Sequence, residues 1–172
     1  MLESVFAKGK EISGANATML LGEDERGSGG QMKASDKAIT VDGKTGIFLP
    51  YRPNAINYVV PQGKDVVSSR FTGCYMAKYK VNGELRVAHV ATPDCNEAWS
   101  ALKSQQGVEV VAEFKPSDHV DLGSLGSGGG PQFLGVMTTE GYCSAVAAQR
   151  TGAANTGDTK LTVTAQTLVK AN

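Results

Sequence analysis

The chain has 172 residues, of which 41% are hydrophobic, enough for one domain with a sizeable core and too many for a disordered chain. Its 17 basic and 17 acidic side chains cancel, which excludes a nucleic-acid or membrane partner held mainly by bulk charge. No apolar run is long enough to span a bilayer, and MLESVFAKGKEISG lacks the basic start and apolar centre of a Sec signal peptide.

In chain order, a short helix is expected near Met1–Lys10, followed by ATMLLG and a polar loop, EDERGSGGQMKASD. The first 35 or so residues read as peripheral to a single domain over 1–172. Strand-like runs follow at 38–41, 46–50, 56–61 and 65–69, punctuated by Asp42-Gly43, Pro53-Asn54 and Gln62-Gly63. FTGCYMAKYKV and ELRVAHVA then flank Asn82-Gly83 as the arms of a hairpin.

Asp94 and Glu97 have capping-box spacing ahead of a helix in NEAWSALKSQQ, with Gly107 as its C-cap. VEVVAEF (108–114) reads as a buried strand, and DLGSLGSGGGPQ (121–132) as a long loop before FLGVMTT. Ala145–Gln149 suggests a short helix, and TKLTVTAQTLVKA alternates like a strand. The 21 glycines and 6% aromatic residues fit short strands joined by tight turns. The fold class is α+β, mostly antiparallel sheets packed as a sandwich-like core with a few outer helices.

Most chemical signals are weak. GSGG (27–30) and GSGGG (126–130) do not continue into GK[ST] and read as loops rather than phosphate cradles. Cys74, Cys95 and Cys143 show neither CxxC spacing nor a disulfide framework, and the two histidines sit in no metal-binding pattern. His119, in PSDHVD, reads as a solvent-facing loop residue. No metal or organic cofactor is implied.

The hairpin carries the one sharp expectation. With Asn82-Gly83 as a two-residue turn, Val81 pairs with Glu84, Tyr79 with Arg86, Met76 with His89 and Cys74 with Ala91. Alternation puts Cys74, Met76 and Lys78 on one face, with Val87, His89 and Ala91 opposite them on that same face. Cys74 and His89 then become diagonal neighbours, starting about 7–8 Å apart at the backbone. A three-residue loop would put the two on opposite faces, so the inference depends on the turn.

A thiol beside an imidazole suits nucleophilic catalysis, the histidine moving protons to a leaving amine and from water. Gly73 permits close backbone approach, and the Cys74 amide is a candidate oxyanion donor. Ser68, Ser69, Thr72 or a backbone carbonyl of a neighbouring strand are candidates to orient the imidazole. The same residues also fit an inert amphipathic hairpin with a buried cysteine.

Phe71-Thr72-Gly73-Cys74 resembles the Leu-Ser-Gly-Cys nucleophile motif of the cytotoxic necrotizing factor catalytic domains and Burkholderia lethal factor. Val87-Ala88-His89-Val90, with Pro93 soon after, is similar to the histidine segment of the CheD chemoreceptor glutamine deamidases. The resemblance covers residues 66–95. It implies a cysteine-dependent protein glutamine deamidase of bacterial toxin or effector type, with Cys74 as nucleophile and His89 as general base and acid. Ser68 stands where CheD and Burkholderia lethal factor have an orienting threonine; in the necrotizing factors a backbone carbonyl fills that role.

The partner implied is a protein substrate, a small GTPase or a translation factor of a host cell, with no nucleic acid and no membrane insertion by this domain. The implied setting is a secreted or injected effector acting in the target-cell cytosol. Two other readings stay open: a cysteine peptidase or peptidoglycan amidase using the same dyad, and a non-catalytic β-rich binding domain.

Overall fold

The computed structural model describes residues 2–22, 24–25, 29–35, 37–121, 131–151 and 159–170. A 3₁₀ turn, Leu2–Phe6, leads into strand β1 (Glu11–Ser13) and helix α1 (Gly14–Gly22). Seven strands follow: β2 (Gly29–Lys33), β3 (Lys37–Val41), β4 (Lys44–Leu49), β5 (Ala55–Val59), β6 (Val66–Ser69), β7 (Tyr75–Val81) and β8 (Glu84–Val90). Helix α2 (Asn96–Lys103) and β9 (Val108–Phe114) precede a 3₁₀ turn at Pro116–Asp118. β10 (Pro131–Met137), β11 (Tyr142–Thr151) and β12 (Lys160–Lys170) complete the fold.

The strands form two sheets, ordered β1-β12-β11-β10-β6-β4-β3 and β2-β5-β8-β7-β9. Pairing is mainly antiparallel; β2 with β5 and β4 with β6 are parallel. The α+β sandwich expected from the turn-rich sequence is the fold observed, with two helices outside two packed sheets.

Period-two alternation assigns each strand two jobs. Phe48, Val67, Leu134, Val136, Val146 and Ala148 face outward from the larger sheet into a cluster with Leu2, Val5, Phe6, Ile12 and Leu20. Their neighbours Leu49, Val66, Ala145 and Ala147 face the other sheet, together with Phe71, Cys74, Met76 and Val87. On the far side of the smaller sheet, Ala77, Tyr79, Ala88 and Val90 pack against Trp99 and Leu102 of α2. The order is therefore helix, sheet, sheet, helix.

Several expectations are corrected. Residues 2–22 are not peripheral: they cover the larger sheet, because strands with apolar residues on both faces need a lid on each. The supposed polar loop at 23–36 contains β2, whose backbone pairs with β5 and whose Gln31 receives the Tyr79 hydroxyl at 2.5 Å. Ala145–Gln149 is strand, because small alanines fit between β10 and β12 and their burial overrides helix propensity. VEVVAEF is a half-buried edge strand beside β7, not a fully buried one.

The capping box does not form. α2 begins two residues after Asp94, with Cys95 at the cap and no side-chain cap bond. It ends at Lys103, with Ser104 as its C-cap, while Gly107 turns the chain into β9 and accepts the Asn82 amide at 2.8 Å. The Gly-rich stretch 126–130 and the first two residues of GSGG lie outside the described residues, whereas Gly29 and Gly30 open β2.

Candidate functional site

The hairpin turn has the required left-handed geometry, with φ of 49° at Asn82 and 87° at Gly83. The register follows: Val81 opposes Glu84, Tyr79 opposes Arg86 and Met76 opposes His89. β7 starts at Tyr75, so Cys74 stands just before the ladder, and Ala91, after β8, turns away to join the α2 cluster. The face shared by Cys74, Met76, Val87 and His89 looks into the space between the sheets.

His89 is fully buried there. Its Nδ1 lies 2.9 Å from the Ser68 hydroxyl, which comes from β6 of the opposite sheet. That hydroxyl also lies 2.5 Å from the Leu49 carbonyl of β4. A hydroxyl has one proton, and a carbonyl only accepts, so Ser68 donates to Leu49 and accepts from His89. The imidazole proton therefore sits on Nδ1, and Nε2 keeps its lone pair.

Nε2 is buried and has no hydrogen-bond partner among the described residues. Phe71 stacks on the ring at 4.1 Å between centroids and 12° between planes, and Tyr51 lies tilted at 5.2 Å. Burial without a compensating carboxylate pulls the His89 pKa down from 6.5 to about 3. The ring is thus a neutral base at ordinary pH.

Cys74 is 7% exposed, and burial pushes its thiol pKa up. Smaller opposing effects come from the Thr92 N–H and side chain and from the Lys115 ammonium. Thr92 also donates its hydroxyl to the Gly73 carbonyl, tying the strand exit after His89 to the strand entry before Tyr75. Gly73 has φ of 139°, a backbone state that side chains rarely adopt, which explains glycine beside the cysteine. The resting pair is therefore a neutral thiol and a neutral imidazole that share a face without a hydrogen bond to Nε2.

Of the candidates to orient the histidine, Ser68 makes the contact and passes it to a backbone carbonyl. Ser69 is the next residue of β6 and faces the other way, and Thr72 is exposed. His119 is exposed and lies against Phe114, remote from this pair in the chain and in a different turn. Among the described residues, no three histidine, cysteine or acidic side chains converge as metal ligands.

Sequence reasoning missed three supports. Tyr51 is 38 positions before His89, and no short-range pattern links them. Thr92 follows the hairpin but belongs to no periodic run. Gly135 of β10 opposes Ser68, and a Cβ there would meet Met76 Sδ at 2.7 Å and Phe71 Cε2 at 3.2 Å. Its missing side chain makes room for the aromatic ring that covers His89, and an isolated glycine inside FLGVMTT was the available signal.

Comparison of the chain with protein-family models, with curated proteins and with solved structures finds no match in any of the three.

Proposed function

We propose that this protein is a cysteine-dependent protein glutamine deamidase of toxin or effector type. The observation that carries the reading is the His89–Ser68–Leu49 relay, which leaves an unpartnered, neutral Nε2 on the face that Cys74 shares. The Thr-Gly-Cys lead-in and the Val-Ala-His segment support glutamine side-chain amide as the substrate.

As a glutamine carboxamide enters, Nε2 takes the Cys74 proton while sulfur attacks the amide carbon. The tetrahedral oxyanion forms near the Cys74 amide, and the imidazolium returns its proton to the departing nitrogen, releasing ammonia. Nε2 then deprotonates water, which attacks the thioester, and collapse yields glutamate and regenerates the thiol. Ser68 accepts from Nδ1–H throughout, a bond that strengthens while the ring is charged.

The test is intact-mass proteomics of target cells exposed to wild-type and Cys74→Ser protein. The expected result is a one-dalton gain on one host protein, absent with Cys74→Ser and with His89→Ala. The same gain with Cys74→Ser overturns the reading, and cleaved chains instead of an intact deamidated protein favour the peptidase.

A further inference from the structure

A second feature of the inter-sheet face lies nearer the hairpin turn. Lys78 belongs to β7, a strand with partners on both sides, and points between the sheets with Cys74 and Met76. It is only 8% exposed. A lysine at such a position costs stability relative to a methionine unless its charge has work to do.

Its hydrogen bonding is incomplete. The ammonium carries three donors, and among the described residues its one hydrogen bond runs to the Thr138 carbonyl at 2.8 Å. The buried Cys143 thiol and the Asp65 carboxylate are close enough to influence it, but that carboxylate accepts the Leu2 amide at 2.8 Å and the Thr139 amide at 2.9 Å. Among the described residues, Lys78 forms no ion pair.

Lys78 and Thr138 line a cavity of about 130 Å³. Leu85, Val87 and Met137 supply apolar wall, and the exposed Lys64 also lines it. A cavity of this size holds a molecule of roughly benzene volume. Mostly apolar walls beside a cation with spare donors disfavour a bare inorganic anion, which needs donors on several sides, and suit a monoanion with a hydrocarbon tail.

We propose that this cavity binds a small carboxylic acid with a short aliphatic chain, its carboxylate on Lys78 and its tail against Leu85, Val87 and Met137. The site is separate from the Cys74–His89 pair: Lys78 opposes Val87, whereas Met76 opposes His89. It does not depend on the deamidase reading.

Isovalerate, isovaleramide and inorganic phosphate, titrated calorimetrically into the full chain, test it. Isovalerate should bind saturably, and the amide and phosphate about tenfold more weakly or worse, the loss expected for one charge-assisted hydrogen bond. Lys78→Met should weaken isovalerate by a similar factor. Leu85→Trp, at a half-buried position that tolerates a larger side chain, should block the cavity and keeps the test decisive if Lys78→Met fails to fold.

Equal affinity for acid and amide overturns the proposal, as does tighter binding of phosphate. So does unchanged binding in Leu85→Trp, or the absence of saturable isovalerate binding up to about 10 mM.

Discussion

Two nitrogen bases enter the space between the sheets from one hairpin, and their surroundings treat them differently. His89 meets a relay that consumes one nitrogen, an aromatic ring on its face and, among the described residues, no counter-ion, so burial leaves it neutral with a fixed tautomer. Lys78, opposite Val87, meets a backbone carbonyl and a nearby carboxylate already engaged by two amides, and burial pulls its pKa down from 10.5. The same sheet face thus prepares a proton acceptor at one end and an undercompensated cation at the other. A nitrogen's role here is set by which acceptors the opposite sheet presents, not by depth of burial alone.

The largest expected effect breaks the first half of that comparison. His89→Asn should lower the proposed deamidation about 10²- to 10⁴-fold, the range for losing a positioned acid–base group, measured as ammonia release from the identified target. It should also change the acid stability of the fold. The unfolded histidine protonates below 6.5 and the folded one only below about 3. Between these values the unfolded state binds one more proton, so stability is fully present above 6.5 and is lost as pH falls, by up to ~1.4 kcal/mol per pH unit. Urea melts from pH 7 to pH 4 should show that slope in wild type and a shallower one in His89→Asn, where shifted carboxylates such as Glu25 still contribute. An equal slope in both would mean that His89 is hydrated and charged in the folded protein.

Next in size is Phe71→Ala, which removes a fully buried ring from the His89 wall and should cost about 3–5 kcal/mol by chemical denaturation. Ser68→Ala should follow, at about 1–3 kcal/mol, because it removes the acceptor of Nδ1–H and leaves the Leu49 carbonyl without the serine hydroxyl. Its catalytic signature separates positioning from structure. kcat should fall about tenfold to hundredfold with KM little changed, the acid limb of the pH–rate profile should move to lower pH because the charged ring loses an acceptor that stabilises it, and Ser68→Thr should restore both. Loss of stability without a kcat change would make Ser68 a structural partner only.

The parts of this arrangement legible in the sequence are those written in local chemistry. Asn82-Gly83 fixes a turn, the turn fixes a register, and the register puts His89 opposite Met76 on a face shared with Cys74. Gly73 announced a backbone state that only glycine takes easily. Contacts across the sheets were not legible in the same way. Ser68 was one of several hydroxyls until β6 came to face β8, and Tyr51, in the connection between β4 and β5, and Gly135 of β10 act from places that no periodicity connects to the hairpin. Ala145–Gln149 misled for the related reason that alanine favours helices in isolation yet fits wherever two sheets come close. Asp94 and Glu97 had the spacing of a cap, but the chain kept turning through Cys95 before the helix began.

The smallest expected effect sharpens the second half of the comparison. Lys78→Met replaces a buried ammonium by an apolar side chain of similar length, in a neighbourhood that includes Met76, Val87 and Met137. The loss is one hydrogen bond to the Thr138 carbonyl, about 1.5–3 kcal/mol for a charged donor. Against it stands relief from burying a charge that no ion pair among the described residues compensates, a term of similar size and opposite sign. The net change in unfolding free energy should lie within about 1 kcal/mol of zero, and the proposed deamidation should be unaffected because Lys78 opposes Val87 rather than His89 in the register. A loss of several kcal/mol would show instead that the Asp65 carboxylate depends on this cation, making Lys78 part of the scaffold rather than a charge held ready for a ligand.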